Sequence, residues 1–191
     1  MFEAAVGIKL DYAEAHKNLG ITLRDLGQKE QAIESLKKAI EIDSNYVDAY
    51  YNLAITFKDL DQVEESVQIY KKVIEINPKF AQAHNNLGNI YKGLGKNKEA
   101  IQSFEEAIKI NPNFAEAFRN LGNSFRNLQK REEALFCFEC AKKIRPNMEF
   151  ILGDILNSKM QLCFWDNLKN LLDELKHKIN NSDKVIAPFP L

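Results

Sequence analysis

The sequence has no long apolar run. At its N-terminus, MFEAAVGIKLDYAEAH, Glu3 and Lys9 interrupt a short apolar stretch, which fits neither a secretory signal nor the roughly 20 apolar residues of a membrane span. A cytoplasmic location is therefore the default expectation, with no membrane as partner. An excess of charge is also missing. Twenty-six basic residues stand against 27 acidic ones, for a net charge of -1, so no bulk field draws the chain onto nucleic acid or anionic lipid. Any charged partner must be recognised locally. Cysteine is scarce: Cys137, Cys140 and Cys163 are an odd number in a chain of 191 residues, which argues for reduced thiols rather than a disulfide framework. What is abundant is ordinary core material, because 45% hydrophobic and 28% charged residues are the profile of a folded, soluble chain and not of a disordered one.

That material is periodic. Asn86, Leu87 and Gly88 return 34 residues later as Asn120, Leu121 and Gly122, and the same interval aligns four complete repeats: 13–46, 47–80, 81–114 and 115–148. Counting places from the start of each repeat, place 4 is large (His16, Tyr50, His84, Phe118), place 7 is Leu (Leu19, Leu53, Leu87, Leu121) and place 8 is small (Gly20, Ala54, Gly88, Gly122). A second segment carries a small residue at place 20 (Ala32, Ser66, Ala100, Ala134), a bulky one at place 24 (Leu36, Tyr70, Phe104, Phe138) and mostly Ala at place 27 (Ala39, Val73, Ala107, Ala141). Spacings of three, four and seven put these residues on one face of a helix. The small residues let two backbones approach, and the bulky ones fill the space between successive pairs. Pro78, Pro112 and Pro146 follow the second helices, where proline cannot continue the pattern; the first repeat has Ser44 instead. Each repeat is thus a helical hairpin, and hairpins that cannot bury an apolar face alone must stack. The expected fold is all-α, a right-handed α-solenoid whose first helices line a concave inner surface.

These residues resemble the tetratricopeptide repeat place for place over residues 13–148. Upstream, residues 2–12 align with the second helix of another repeat, Phe2 at place 24 and Ala5 at place 27, so that the array is expected to span 1–148. That half repeat fits either a chain cut from a longer array or a short capping helix. Residues 149–182 read as a degenerate helix pair, with Leu168, Leu172 and Leu175 at places 20, 24 and 27, and with Leu162, Phe164 and Trp165 expected to seal the last apolar face as a cap.

Places 2, 5, 6, 9, 12 and 13 of the first helices are expected to face the inner surface. Place 6 is a column of amides, Asn18, Asn52, Asn86 and Asn120. Each amide offers a donor and an acceptor, matching the backbone of an extended peptide whatever its side chains. The same four residues could instead bond to a neighbouring repeat and fix the stacking. As a peptide ladder the column resembles that of the repeat domain of O-linked N-acetylglucosamine transferases. Four contacts at about 0.5–1.5 kcal/mol each supply only ~2–6 kcal/mol, which implies micromolar to millimolar binding. A second column at place 12, Arg24, Lys58, Lys92 and Arg126, either pairs with an acidic or phosphorylated ligand or forms a solvated face balanced by Glu14, Asp48 and Glu116. Place 9 changes from Ile21 and Ile55 to Asn89 and Asn123, making the second half of the groove more polar. The basic clamp by which some repeat domains hold chaperone tails is not present, since Lys17 is followed by Ile21 and the third repeat offers Gln82 and Asn86.

The C-terminal stretch resembles the junction between repeats and catalytic region in bacterial and Spindly-type relatives of those transferases, with Cys163, Trp165, Pro188 and Phe189 at the matching positions and Phe164 where Asp is usual. The resemblance implies that 183–191 is an extended tail leading toward a nucleotide-sugar-using domain whose protein substrates the repeats select. The alternative is a self-standing adaptor or scaffold. Exposed terminal repeats offer a surface for self-association in either case. No catalytic residue, metal or cofactor is expected in this chain. Cys137 and Cys140 form a lone C-x-x-C inside a helix, and GLGK at 93–96 lacks the strand of a phosphate loop and reads as a turn. His16 and His84 hold a packing place taken by Tyr50 and Phe118 in sister repeats, and His177 is expected in a charged last helical turn. The partner expected is a protein or extended peptide, acidic if the place-12 column is used.

Overall fold

A computed structural model describes residues 2–166 and 168–180, with side chains over 12–166 and 168–179. Pro188 and Phe189, the tail 183–191, and the core places assigned to Phe2 and Ala5 lie outside the described residues and side chains. Among the described residues there are ten α-helices and no strand: α1 (Phe2–Asp25), α2 (Lys29–Ile42), α3 (Val47–Asp59), α4 (Val63–Ile76), α5 (Ala81–Gly93), α6 (Asn97–Ile110), α7 (Ala115–Asn127), α8 (Arg131–Ile144), α9 (Ile151–Gln161) and α10 (Leu168–Asn180). The fold class is the expected one, an all-α stack of hairpins. Contacts divide the chain into an N-terminal unit ending at Ile90 and a C-terminal unit beginning at Tyr91. Within the first, α1 packs on α2 and α3, α2 on α3, and α3 on α4; within the second, α6 packs on α7, α7 on α8, α8 on α9, and α9 on α10.

The turns follow from a few places. Place 15 has a left-handed backbone at Gly27, Asp61, Gly95, Gln129 and Cys163, which ends each first helix and starts the return. GLGK is therefore a turn. At place 31, Asp43, Asn77 and Asn111 turn away from helix and use their side chains to accept the N–H two residues on, from Asn45, Lys79 and Asn113. Asp43 thus makes the turn without the proline that Ser44 replaces. Lys9 and Leu10 occupy these two places ahead of the first repeat and can supply neither the side-chain acceptor nor the proline. Accordingly α1 runs unbroken from Phe2 to Asp25, instead of dividing near residue 12 into a half repeat and a first helix.

Places 20, 24 and 27 are buried in all four repeats. The close approach at place 8 is real: a Cβ on Gly20 would lie 2.6 Å from Leu36 Cγ, and one on Gly122 would lie 2.7 Å from Phe138 Cε1. Place 7 is buried at Leu53, Leu87 and Leu121, whereas Leu19 is 48% exposed. Its helix continues upstream without folding back, so no preceding second helix covers it among the described residues.

The terminal pair departs from its expected register. Leu175 joins Phe138, Ile151, Leu152 and Ile155 in the core as expected, but with Leu171 beside it rather than Leu168 and Leu172, and with Leu162 packed at the edge. Phe164 and Trp165 do not seal it, being 46% and 60% exposed. The reason lies in the turn: the left-handed Cys163 lets Phe164 N–H reach back to Lys159 O, and the chain leaves the core at that point.

Candidate functional site

The expected site residues divide between the two units. Asn18, Arg24, Asn52, Lys58, Asn86 and Asn89 belong to the first, and Lys92, Asn120, Asn123 and Arg126 to the second. Asn18 and Lys58 are exposed; the other eight are half-buried.

In the N-terminal unit, Arg24 Nη1 donates to Asn52 Oδ1 at 3.1 Å, while Asn52 Nδ2 donates to Asp48 O at 2.8 Å. Asn86 Nδ2 donates to both Tyr51 Oη at 3.0 Å and Tyr70 Oη at 3.1 Å. Two of the four column amides are therefore engaged with neighbouring helices, and Asn18, on a helix with an exposed flank, presents its amide to solvent. The two phenols are acids held neutral. Burial raises both pKa values, outweighing the opposing effect of the bond from Asn86.

The C-terminal unit is ionic. Asp154, only 6% exposed, accepts Arg119 Nε at 2.7 Å and Arg126 Nη1 at 3.0 Å. Arg126 Nη2 also donates to Asn123 Oδ1 at 2.7 Å, and its guanidinium lies 5.5 Å from the Phe138 ring centre, with that of Arg119 5.7 Å from Phe150. Burial, followed by the charges of Arg119 and Arg126, holds the Lys92 ammonium below its ordinary range. Two arginines thus share one internal carboxylate, and Lys92 feels the charge of both.

Arg119 and Asp154 were not among the expected residues. The signal was available: Arg119 is at place 5, one of the inner-surface places, and Asp154 falls at place 6 once the register is carried past Met148. Cys137 and Cys140 are not reactive thiols. Burial pushes Cys137 up to about 12 and raises Cys140 as well, and no group of side chains among the described residues is arranged to hold a metal ion. No described helix is long and apolar enough to cross a membrane.

Repeated hairpins with polar first-helix faces and cores shared between successive helices define an α-helical repeat protein. Family models described as tetratricopeptide repeats match residues 81–114 and 115–148, and a further one, described as a TPR repeat, matches 22–61 and 56–95. The chain belongs to the tetratricopeptide repeat family over the continuous stretch 22–148. No curated protein matches it. Among solved structures it is similar to MamA from Desulfovibrio magneticus, at 17% identity and a TM-score of 0.77, covering 91% of this chain and 98% of that one. It is similar also to PilF of Pseudomonas aeruginosa, at 24% identity and a TM-score of 0.78, covering 86% of this chain and 75% of that one. A third is YrrB, described as "a TPR protein with an unusual peptide-binding site", at 21% identity, a TM-score of 0.68 and coverages of 91% and 90%.

Proposed function

We propose that the chain is a protein-interaction module that holds an extended segment of a partner protein along its first-helix faces, and that the C-terminal unit selects acidic segments. The observation that carries this reading is the convergence of Arg119 and Arg126 on the single buried carboxylate of Asp154, with Lys92 a third cation close enough to feel both guanidinium charges. A second carboxylate arriving on the segment completes the charge balance without displacing the first. Exposed amides such as Asn18 add side-chain-independent bonds to the peptide backbone. The described peptide site of YrrB supports the general class of ligand.

The test is fluorescence anisotropy with an acidic and a neutral peptide of equal length. Lys92→Gln is expected to weaken the acidic peptide by about tenfold, the value of one charge-assisted bond, and to leave the neutral one alone. Equal affinities of the two peptides for the unmodified protein would overturn the acidic selectivity. Asn18→Ala is expected to weaken both peptides with an unchanged Tm, and no change in either would remove the ladder.

Two wider settings fit this module. Sequence resemblance at Cys163 and Trp165, together with the amide column, supports a substrate-recognition role for an O-linked N-acetylglucosamine-transferase-like enzyme. The helix-to-helix bonds of Asn52 and Asn86 favour a self-standing adaptor whose amides serve stacking. Sugar transfer to peptides by the protein purified from its native source supports the first; its absence, with peptide binding intact, supports the second.

A further inference from the structure

The C-terminal unit has a second feature, independent of the first-helix faces. A groove of about 540 Å³ opens beside α6, α7 and α8, within the range of roughly 300–1,000 Å³ usual for ligand pockets. Its lining is almost wholly apolar, with Ile108, Phe118, Leu121, Phe125 and Cys137 beneath and Phe136 at the side. Phe136 is 64% exposed. The other repeats serve as internal controls, because the same place 22 carries Glu34, Gln68 and Gln102. A hairpin of this kind therefore folds with a polar residue there, and the exposed ring adds apolar surface that the core does not use.

The edge of the groove is acidic. Glu105, Glu132 and Glu133 line it with one lysine, Lys109, and that lysine is paired with Glu106 at 3.2 Å. Glu133 has Lys130, the residue just ahead of its helix, at 3.8 Å, whereas Glu105 and Glu132 have no ion pair among the described residues. We propose that this groove binds a short segment of another protein that presents a large apolar side chain between lysines or arginines. The apolar side chain fills the space beside Phe136, and the flanking cations meet Glu105 and Glu132. A second copy of this chain is a poor occupant, because a twofold contact through the groove brings each acidic edge onto its own image.

The probe is a fluorescein-labelled peptide, GKKLFKKG, read by anisotropy against GEELFEEG and GKKSSKKG. The first is expected to bind and the other two to bind at least about tenfold more weakly, the scale of one interface anchor. Phe136→Gln, which restores the residue of two sister repeats, is expected to weaken GKKLFKKG by about tenfold at unchanged Tm. Glu105→Lys with Glu132→Lys is expected to reverse the preference toward GEELFEEG. Unchanged affinity in the Phe136→Gln protein, or equal binding of the two charged peptides, overturns the proposal. So does a concentration-dependent dimer in sedimentation that Phe136→Gln abolishes, since the occupant is then a second copy. Lys92→Gln leaves this binding intact, so the outcome is separable from that on the first-helix face.

Discussion

Arg24 in the N-terminal unit and Arg126 in the C-terminal unit each reach 28 residues ahead, to place 6 of the following hairpin. One meets the amide oxygen of Asn52 at 3.1 Å and the other the carboxylate of Asp154 at 3.0 Å. The geometry is shared and the chemistry is not. In the first unit a half-buried arginine meets a neutral acceptor across the helices and has only the exposed Asp25 beside it as an ion pair, at 3.2 Å. The nearby amide of Asn86 bonds two neutral phenols. In the second, two arginines converge on a buried charge beside a third cation. The repeat therefore sets where side chains meet, and the residue at each place decides whether the meeting is polar or ionic. That difference is why the acidic-ligand proposal rests on the C-terminal unit.

The largest effect tests the shared geometry. Leu36→Ala in the first unit and Phe138→Ala in the second empty the same fully buried place, and each should cost about 3–5 kcal/mol in urea unfolding. A small loss in only one of them would break the equivalence of the repeats.

Next comes the ionic contact. Asp154→Ala strands two arginines; because these are partly exposed, the cost is set below that of a fully buried pair, at about 2–3 kcal/mol. Asp154→Asn copies the Asn52 arrangement and should cost about half as much. The cost of either variant relative to the unmodified protein should shrink in high salt, whereas that of Asn52→Ala should show no such salt dependence. A salt-independent Asp154 would remove the electrostatic half of the comparison.

The phenols of the first unit give the pH counterpart. Tyrosine in the unfolded chain ionises near pH 10, while burial holds Tyr51 and Tyr70 neutral in the fold. Their contribution is present below that pH and lost as pH rises above it. Tyr70→Phe should cost about 1 kcal/mol at neutral pH and make the alkaline fall in Tm shallower. Buried Cys137 leaves a residual fall. An unaltered alkaline slope would show that Tyr70 is not the titrating group.

The smallest effect runs toward stability. Gln129 and Cys163 hold a left-handed backbone that Gly27 and Gly95 hold without strain. Gln129→Gly and Cys163→Gly should each raise stability by about 0.5–1 kcal/mol, read as a higher Tm. A fall would mean that side-chain contacts outweigh the backbone term.

The hairpins were legible in the sequence because one place does one job four times, so that Ala32, Leu36 and Ala39 predict the burial of their counterparts. Legibility fails where a place changes its job. Trp165 and Phe164 are large and apolar, which made them natural caps, but the left-handed Cys163 sends them outward. Leu175 is buried as its place requires, but Leu171 takes the core positions expected for Leu168 and Leu172, in a terminal pair that has lost the repeat's glycine and alanine. The continuity of α1 turns on two residues, Lys9 and Leu10, at places whose turn-making role shows only when the other junctions are seen. At the candidate site, the amide column was visible but its partners were not, since Tyr51, Tyr70 and Arg24 come from other helices. Asp154 lay hidden past the point where the repeat signature fades.

Within each unit, helices that pack together are one or two steps apart along the chain, α1 on α2 and α3, α7 on α8, α8 on α9. Loop closure is then short for these contacts, and a hairpin has its partners in hand soon after it is made. During synthesis the leading repeats can acquire their final packing while later ones are still being translated, so the apolar face awaiting its neighbour at any moment is that of a single hairpin.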